Sequence, residues 1–179
     1  TYNFRGQLTH VTDWDSNATS YQYNALGFLS DISYPNNTGT QYFYDAVGRL
    51  IDIHHLDPTS NVTLPIHYEL DANGNRISMA DNRGTESYTY DDLNRLAQVA
   101  YADGEMVSYT YDGMGNRLAM NSTAHGLTTY NYDDADRLLS MTMPDNSVVS
   151  FTWDNNGNMT SKGTTQYLYD SSNRLTQVI

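Results

Sequence analysis

Between Arg95 and Asp112 the chain alternates with a period of two. Arg95, Ala97, Val99 and Tyr101 fall on one side of the alternation, Leu96, Gln98 and Ala100 on the other. Ala102-Asp103-Gly104-Glu105 follows, and Asp-Gly is a hairpin-turn signal. Then Val107, Tyr109 and Tyr111 alternate with Met106, Ser108 and Thr110. Successive side chains of a strand point to opposite faces, and β-branched and aromatic residues suit a pleated surface, so the pattern predicts strand, turn, strand. Asp112-Gly113-Met114-Gly115-Asn116 makes a second turn, and Arg117-Leu118 opens the next strand. No stretch carries the 3.6-residue period of an amphipathic helix.

The same unit recurs. An aromatic-x-aromatic pair, an acidic or amide residue, a tight turn and usually Arg-Leu appear nine times, with the acidic or amide anchor at 3, 24, 45, 71, 91, 112, 133, 154 and 170. Five of the eight gaps are 21 residues, and fourteen of sixteen tyrosines stand just before an anchor. A fixed period of this length means a repeat architecture. Eight units of two strands and two turns give about sixteen antiparallel strands, since the links are too short for crossovers. The long gap is read as an insertion at 56–65 and the short one as a deletion around Ser161 to Thr165, both in loops. The whole of 1–179 reads as one array, a piece of a longer one.

Mechanical roles follow for the repeated residues. The tyrosines and tryptophan before the anchors (Tyr23, Tyr44, Tyr90, Tyr111, Tyr132, Trp153, Tyr169) share a face with the aromatic two residues earlier and are expected to stack in rows. The anchors Asp45, Asp71, Asp91, Asp112, Asp133, Asp154 and Asp170 are expected to accept turn N–H groups. Gly48, Gly74, Gly115 and Gly157, or Asn94 and Asn173, suit a left-handed turn position. An Arg at the start of the next strand, as at Arg49, Arg95, Arg117 and Arg174, is placed to pair with a neighbouring Asp and lie over a Tyr ring. Because Asp71, Asp112 and Asp154 precede Gly-Asn, their turns read as one residue longer than those after Asp45, Asp91 and Asp170, with a bulge at strand entry.

Composition narrows the chemistry. The formal charge of −12 with only nine basic residues argues against nucleic acid or an anionic membrane surface as partner. No apolar run reaches the roughly 20 residues of a membrane helix. The absence of cysteine excludes disulfides and thiolate metal sites. Five sequons, at Asn17, Asn36, Asn61, Asn121 and Asn158, are about what chance gives. His54 and His55 lie between Asp52 and Asp57, but adjacent strand residues point apart, so no metal site is expected. Asp71-Ala72-Asn73-Gly74-Asn75 and Asp154-Asn155-Asn156-Gly157-Asn158 lack the Gly and Glu of a calcium loop. No carboxylate pair stands out from the repeated set, and no nucleophile signature appears, so neither an enzyme nor a cofactor is expected.

These residues resemble the YD-repeat, or RHS-repeat, family. The pattern Tyr-x-Tyr-Asp-x-x-Gly-Arg/Asn-Leu/Arg covers essentially the whole chain. Members include RHS proteins of bacterial polymorphic toxins, components of insecticidal toxin complexes, and teneurins at animal cell surfaces. The resemblance implies a long antiparallel sheet wound into a hollow shell, which in the bacterial cases encloses a toxin region. The family's closing Asp-Pro-x-Gly motif is missing; the one Asp-Pro is Asp57-Pro58-Thr59-Ser60, so self-cleavage is not carried over.

Sixteen strands at about 4.8 Å would close a ring only about 25 Å across, whereas a 100-residue cargo needs about 33 Å. The expectation is therefore a secreted or cell-surface structural scaffold that is a sector of such a shell. Its expected partners are further repeats and an enclosed polypeptide. A carbohydrate-binding adhesive module that takes glycans, or an extracellular fibre self-associating through open sheet edges, are the alternatives.

Overall fold

The computed structural model describes residues 1–179, and they form seventeen β-strands and no helix. The strands are β1 His10–Thr12, β2 Ala18–Tyr23, β3 Leu29–Ser33, β4 Gly39–Tyr44, β5 Leu50–Leu56, β6 Val62–Leu70, β7 Arg76–Asp81, β8 Gly84–Tyr90 and β9 Leu96–Ala100. They continue as β10 Met106–Tyr111, β11 Arg117–Ser122, β12 Gly126–Tyr132, β13 Leu138–Thr142, β14 Val148–Trp153, β15 Met159–Lys162, β16 Thr165–Tyr169 and β17 Leu175–Val178. The chain is all-β, a tandem array of antiparallel hairpins.

Two compact units are present, Thr1–Thr89 with Tyr101–Asp103, and Tyr90–Ala100 with Gly104–Ile179. In the first, each strand from β1 to β8 pairs antiparallel with the next. In the second, β9 to β17 do the same.

The two faces of the hairpins differ. The tyrosine face is the more covered: Thr40, Val99, Val107, Ser122, Thr128 and Phe151 are buried there, yet no side chain is fully enclosed. The first tyrosine of each pair faces an aliphatic residue on the next strand: Tyr21 faces Ile32, Tyr42 Ile53, Tyr68 Met79, Tyr109 Met120, Tyr130 Met141 and Tyr167 Val178. In the β9–β17 unit the other face carries Gln98, Ser108, Asn121, Thr129, Ser140 and Ser150 and has no charge. The accessible surface is 11623 Å², against about 8,700 Å² for a compact monomer of this mass. Hairpins that bury so few side chains leave that much exposed.

Three expectations are corrected. The aromatic rows do not stack on one another. Tyrosine pairs sit on every second strand, about 9.6 Å apart and beyond ring-contact distance. Arginines fill the gaps: Arg76 lies over Tyr68 (5.3 Å) and Tyr88 (5.0 Å), and Arg117 over Tyr109 (5.7 Å) and Tyr130 (4.5 Å). The one stacked ring pair is Phe28–Tyr44, at 5.1 Å.

The insertion at 56–65 is not a loop. It lengthens a hairpin to strands of seven and nine residues (β5 and β6) around the turn at 57–61. Pro65 fits because it pairs with His54, while β7 ends at Asp81, one residue short of facing it on the other side. Its missing N–H therefore removes no ladder bond.

The two turn lengths are one. Every anchor turn spans five residues, with the fourth at positive φ: Gly6, Gly27, Gly48, Gly74, Asn94, Gly115, Asp136, Gly157 and Asn173. What separates the two sets is the fifth residue, Arg after Asp45, Asp91 and Asp170 and Asn after Asp71, Asp112 and Asp154, and the register slips before seven of these turns alike.

Candidate functional site at the anchor turns

Each anchor turn is built by one carboxylate or amide. In the turn of Asp45, Oδ1 accepts the N–H of Val47 (3.0 Å) and of Arg49 (2.9 Å), and Oδ2 accepts Nε of Arg49 (2.7 Å). The main chain closes the same loop, with Gly48 N–H donating to the Asp45 carbonyl and Asp45 N–H to that of Arg49. The positive φ at the fourth residue turns the chain back into the next strand, and Gly or Asn tolerates it.

Asp91 with Arg95, Asp133 with Arg137, and Asp170 with Arg174 repeat this set. Asp71, Asp112 and Asp154 keep the backbone bonds but take the Nδ2 of Asn75, Asn116 and Asn158 in place of guanidinium. Asn3 and Asn24 do the work with an amide oxygen. Two further copies, Asp13–Asn17 and Asp57–Asn61, close hairpins at the opposite rim. They escape the sequence pattern because no aromatic pair precedes them. A signal was present, Asp or Asn followed four residues later by Asn or Arg with Gly, Asn or Ser between.

The turns are also tied to one another. Before six of the anchors the aromatic donates back to the residue that follows the previous anchor turn: Tyr23 to the Leu8 carbonyl (2.9 Å), Tyr44 to Leu29 (2.8 Å), Tyr111 to Leu96 (2.8 Å) and Tyr132 to Arg117 (3.1 Å). Trp153 Nε1 replaces the hydroxyl against the Leu138 carbonyl at 2.9 Å, and Tyr169 reaches Met159 at 3.0 Å. In the forward direction, Nη1 of Arg49, Arg95 and Arg137 donates to the carbonyls of Asp71, Asp112 and Asp154. These cross-repeat bonds had no signature in the sequence beyond the recurrence of the residues. Arg95 also lies over Tyr111 at 4.7 Å.

The electrostatics follow. The N–H of Arg49, then its guanidinium, holds the Asp45 carboxyl below the usual range. The side-chain donors of Asn75, Arg137, Asn158 and Arg174 do the same first for Asp71, Asp133, Asp154 and Asp170. Asp57 is held down to about 2, chiefly by the Thr59 hydroxyl. Burial pushes Tyr44, Tyr111 and Tyr132 up. Tyr88 is pushed up to about 12, by burial and then by its 2.6 Å bond to Glu86. The aspartate shifts at Asp45, Asp71, Asp133, Asp154 and Asp170 trace to hydrogen bonds inside each turn, and the tyrosine shifts chiefly to burial.

The remaining candidates do not converge. His54 packs on the Phe43 ring at 4.8 Å, while the next residue, His55, turns to the other face and meets the buried Thr40 hydroxyl at 3.2 Å. No three His, Asp or Glu side chains come together as a metal site would need. No helix is long and apolar enough to cross a membrane.

No curated protein sequence matches the chain. In fold it is similar to the crystal structure of TcdB2-TccC3-Cdc42, with a TM-score of 0.77 at 16% identity, covering 98% of this chain and 12% of that one. TcdB2-TccC3 without its hypervariable C-terminal region gives the same values. A Tc holotoxin pore from Photorhabdus luminescens, bearing a substitution in TccC3, gives a TM-score of 0.53 at 17% identity, covering 96% of this chain and 13% of that one. The chain thus spans about an eighth of the length of these structures. Residues 62–179, well over half of the chain, match the teneurin YD-shell family, whose repeats these anchor turns build, and the chain belongs to that family.

Proposed function

We propose that this chain is a structural, non-catalytic segment of a β-shell wall that encloses a polypeptide within a secreted or cell-surface protein. Its family and its shell-protein neighbours support the scaffold role. One observation carries the rest: the same turn bonds and cross-repeat ties recur from anchor to anchor, so the repeated polar chemistry is occupied in building wall. An adhesive module that stacked sugars on these rings could not also draw on their hydroxyls. Those of Tyr23, Tyr44, Tyr111, Tyr132 and Tyr169 already donate to main-chain carbonyls.

Further repeats of a longer array would complete the enclosure that this length is too short to make. Electron microscopy of the full gene product, with limited proteolysis, tests the reading. A hollow particle with this sheet in its wall, and an interior segment that resists protease, is the expected result. A solid domain with no interior would overturn it.

A further inference from the structure

The third residue of an anchor turn contributes only its N–H to the turn. Leu93, Met114 and Ala135 donate that N–H to the anchor carboxylate and send their side chains outward. Leu93 is 67% exposed and Met114 78%. The turn does not require an apolar residue there, since Asn73, Asn156 and Ser172 hold the same position in other repeats.

The charge around this row is one-sided. In the Tyr90–Ala100 and Gly104–Ile179 unit, eight of the ten carboxylates stand in the five anchor turns, against Arg95, Arg137 and Arg174. Asp92 and Asp134, both exposed, flank the apolar row and are not anchors. Consecutive anchor turns are two strands apart, about 9.6 Å. An α-helix advances about 10.5 Å every seven residues.

We propose that Leu93, Met114 and Ala135 form a docking row for a cationic amphipathic helix. Apolar side chains at every seventh residue sit over the three turns, and flanking lysines or arginines meet Asp92 and Asp134. A second copy of this chain fits poorly, because it has no helix and brings a rim of the same sign. An anionic lipid surface is repelled for the same reason.

The test is fluorescence anisotropy on the whole 179-residue chain. The probe is a synthetic helical peptide of three heptads, Leu at every seventh position and Lys on both flanks, compared with a scrambled peptide of equal composition. Saturable binding is expected, at least about tenfold tighter than the scrambled peptide, and weakening as salt screens the charges. Leu93→Ser/Met114→Ser and, separately, Asp92→Asn/Asp134→Asn each weaken it about tenfold. The second pair leaves the anchor bonds in place, so loss of fold cannot stand in for loss of binding. No binding, equal binding of the scrambled peptide, or binding unchanged in both variants overturns the proposal. So does self-association on sizing that the Leu93→Ser/Met114→Ser variant abolishes.

Discussion

The two rims of the hairpins are built differently. At the anchor rim every turn has five residues and the same two main-chain hydrogen bonds, whatever the rest of its sequence. At the opposite rim the turns vary. Asp13–Asn17 and Asp57–Asn61 copy the carboxylate turn, and 34–38 and 143–147 keep its backbone bonds without an anchor carboxylate. Asn82–Arg83 and Gly163–Thr164 are two-residue turns, and Thr123–His125 has three. The long and the short repeat both change length toward this second rim, one by strands of seven and nine residues, the other by a two-residue turn and strands of only four and five. The anchor rim is fixed because its turns bond to the turns and strands of the neighbouring repeats, through the tyrosine hydroxyls and the arginine Nη1 atoms. A change of length there would break bonds in two repeats at once.

Paired insertions break the comparison most severely. Two glycines between Asn82 and Arg83 double a two-residue turn and cost about 0.6 kcal/mol. The same pair between Asp92 and Leu93 separates Asp91 from Arg95, and with it both the turn and the tie to Asp112. Cooperative thermal unfolding should survive the first insertion and be lost in the second. Next in size, Gly104→Ala places a Cβ in open space at positive φ and costs about 1–2 kcal/mol. Gly48→Ala costs more, because its Cβ would stand 2.8 Å from the Phe28 ring; urea unfolding of the two variants separates conformational strain from clash. Tyr111→Phe removes the hydroxyl bond to the Leu96 carbonyl and is expected to cost about 1 kcal/mol in the same assay.

Much of this was legible in the sequence. Period-two alternation gave the strands, and the anchors located the turns, since both depend on local chemistry. The fourth-position residues Gly48, Gly115 and Asn94 were legible for the same reason, but Asp136, an acidic residue at positive φ, was not. The ties from Tyr44 to Leu29 or Arg49 to Asp71 were hidden because they depend on which strand lies alongside. An arginine over a tyrosine ring was legible at Arg117, but that Arg76 and Arg117 each stand between two rings was not, because spacing along the chain does not reveal that an intervening strand parts the rows. At 56–65, Leu64 and Ile66 continued a strand alternation that the extra length disguised as loop.

The smallest expected effect is on pH dependence. Asp57 is held down to about 2, below the ordinary carboxylate value, so its ionised form favours the fold. That contribution is complete above about pH 4 and disappears as the pH falls toward 2. Asp57→Asn retains an acceptor without a charge. The melting temperatures of the two proteins should therefore differ by a constant amount above pH 4 and converge as the pH approaches 2. Thermal melts across that range check it.

Amide hydrogen exchange, resolved by residue, tests the central claim most directly. If the anchor turns lock each repeat to the next, the N–H groups of Arg49, Arg95, Asn116 and Arg137, all bonded to anchor carboxylates, exchange more slowly than those of the turns at 34–38, 82–83 and 163–164. Equal protection at both rims, or faster exchange at the anchors, would contradict it.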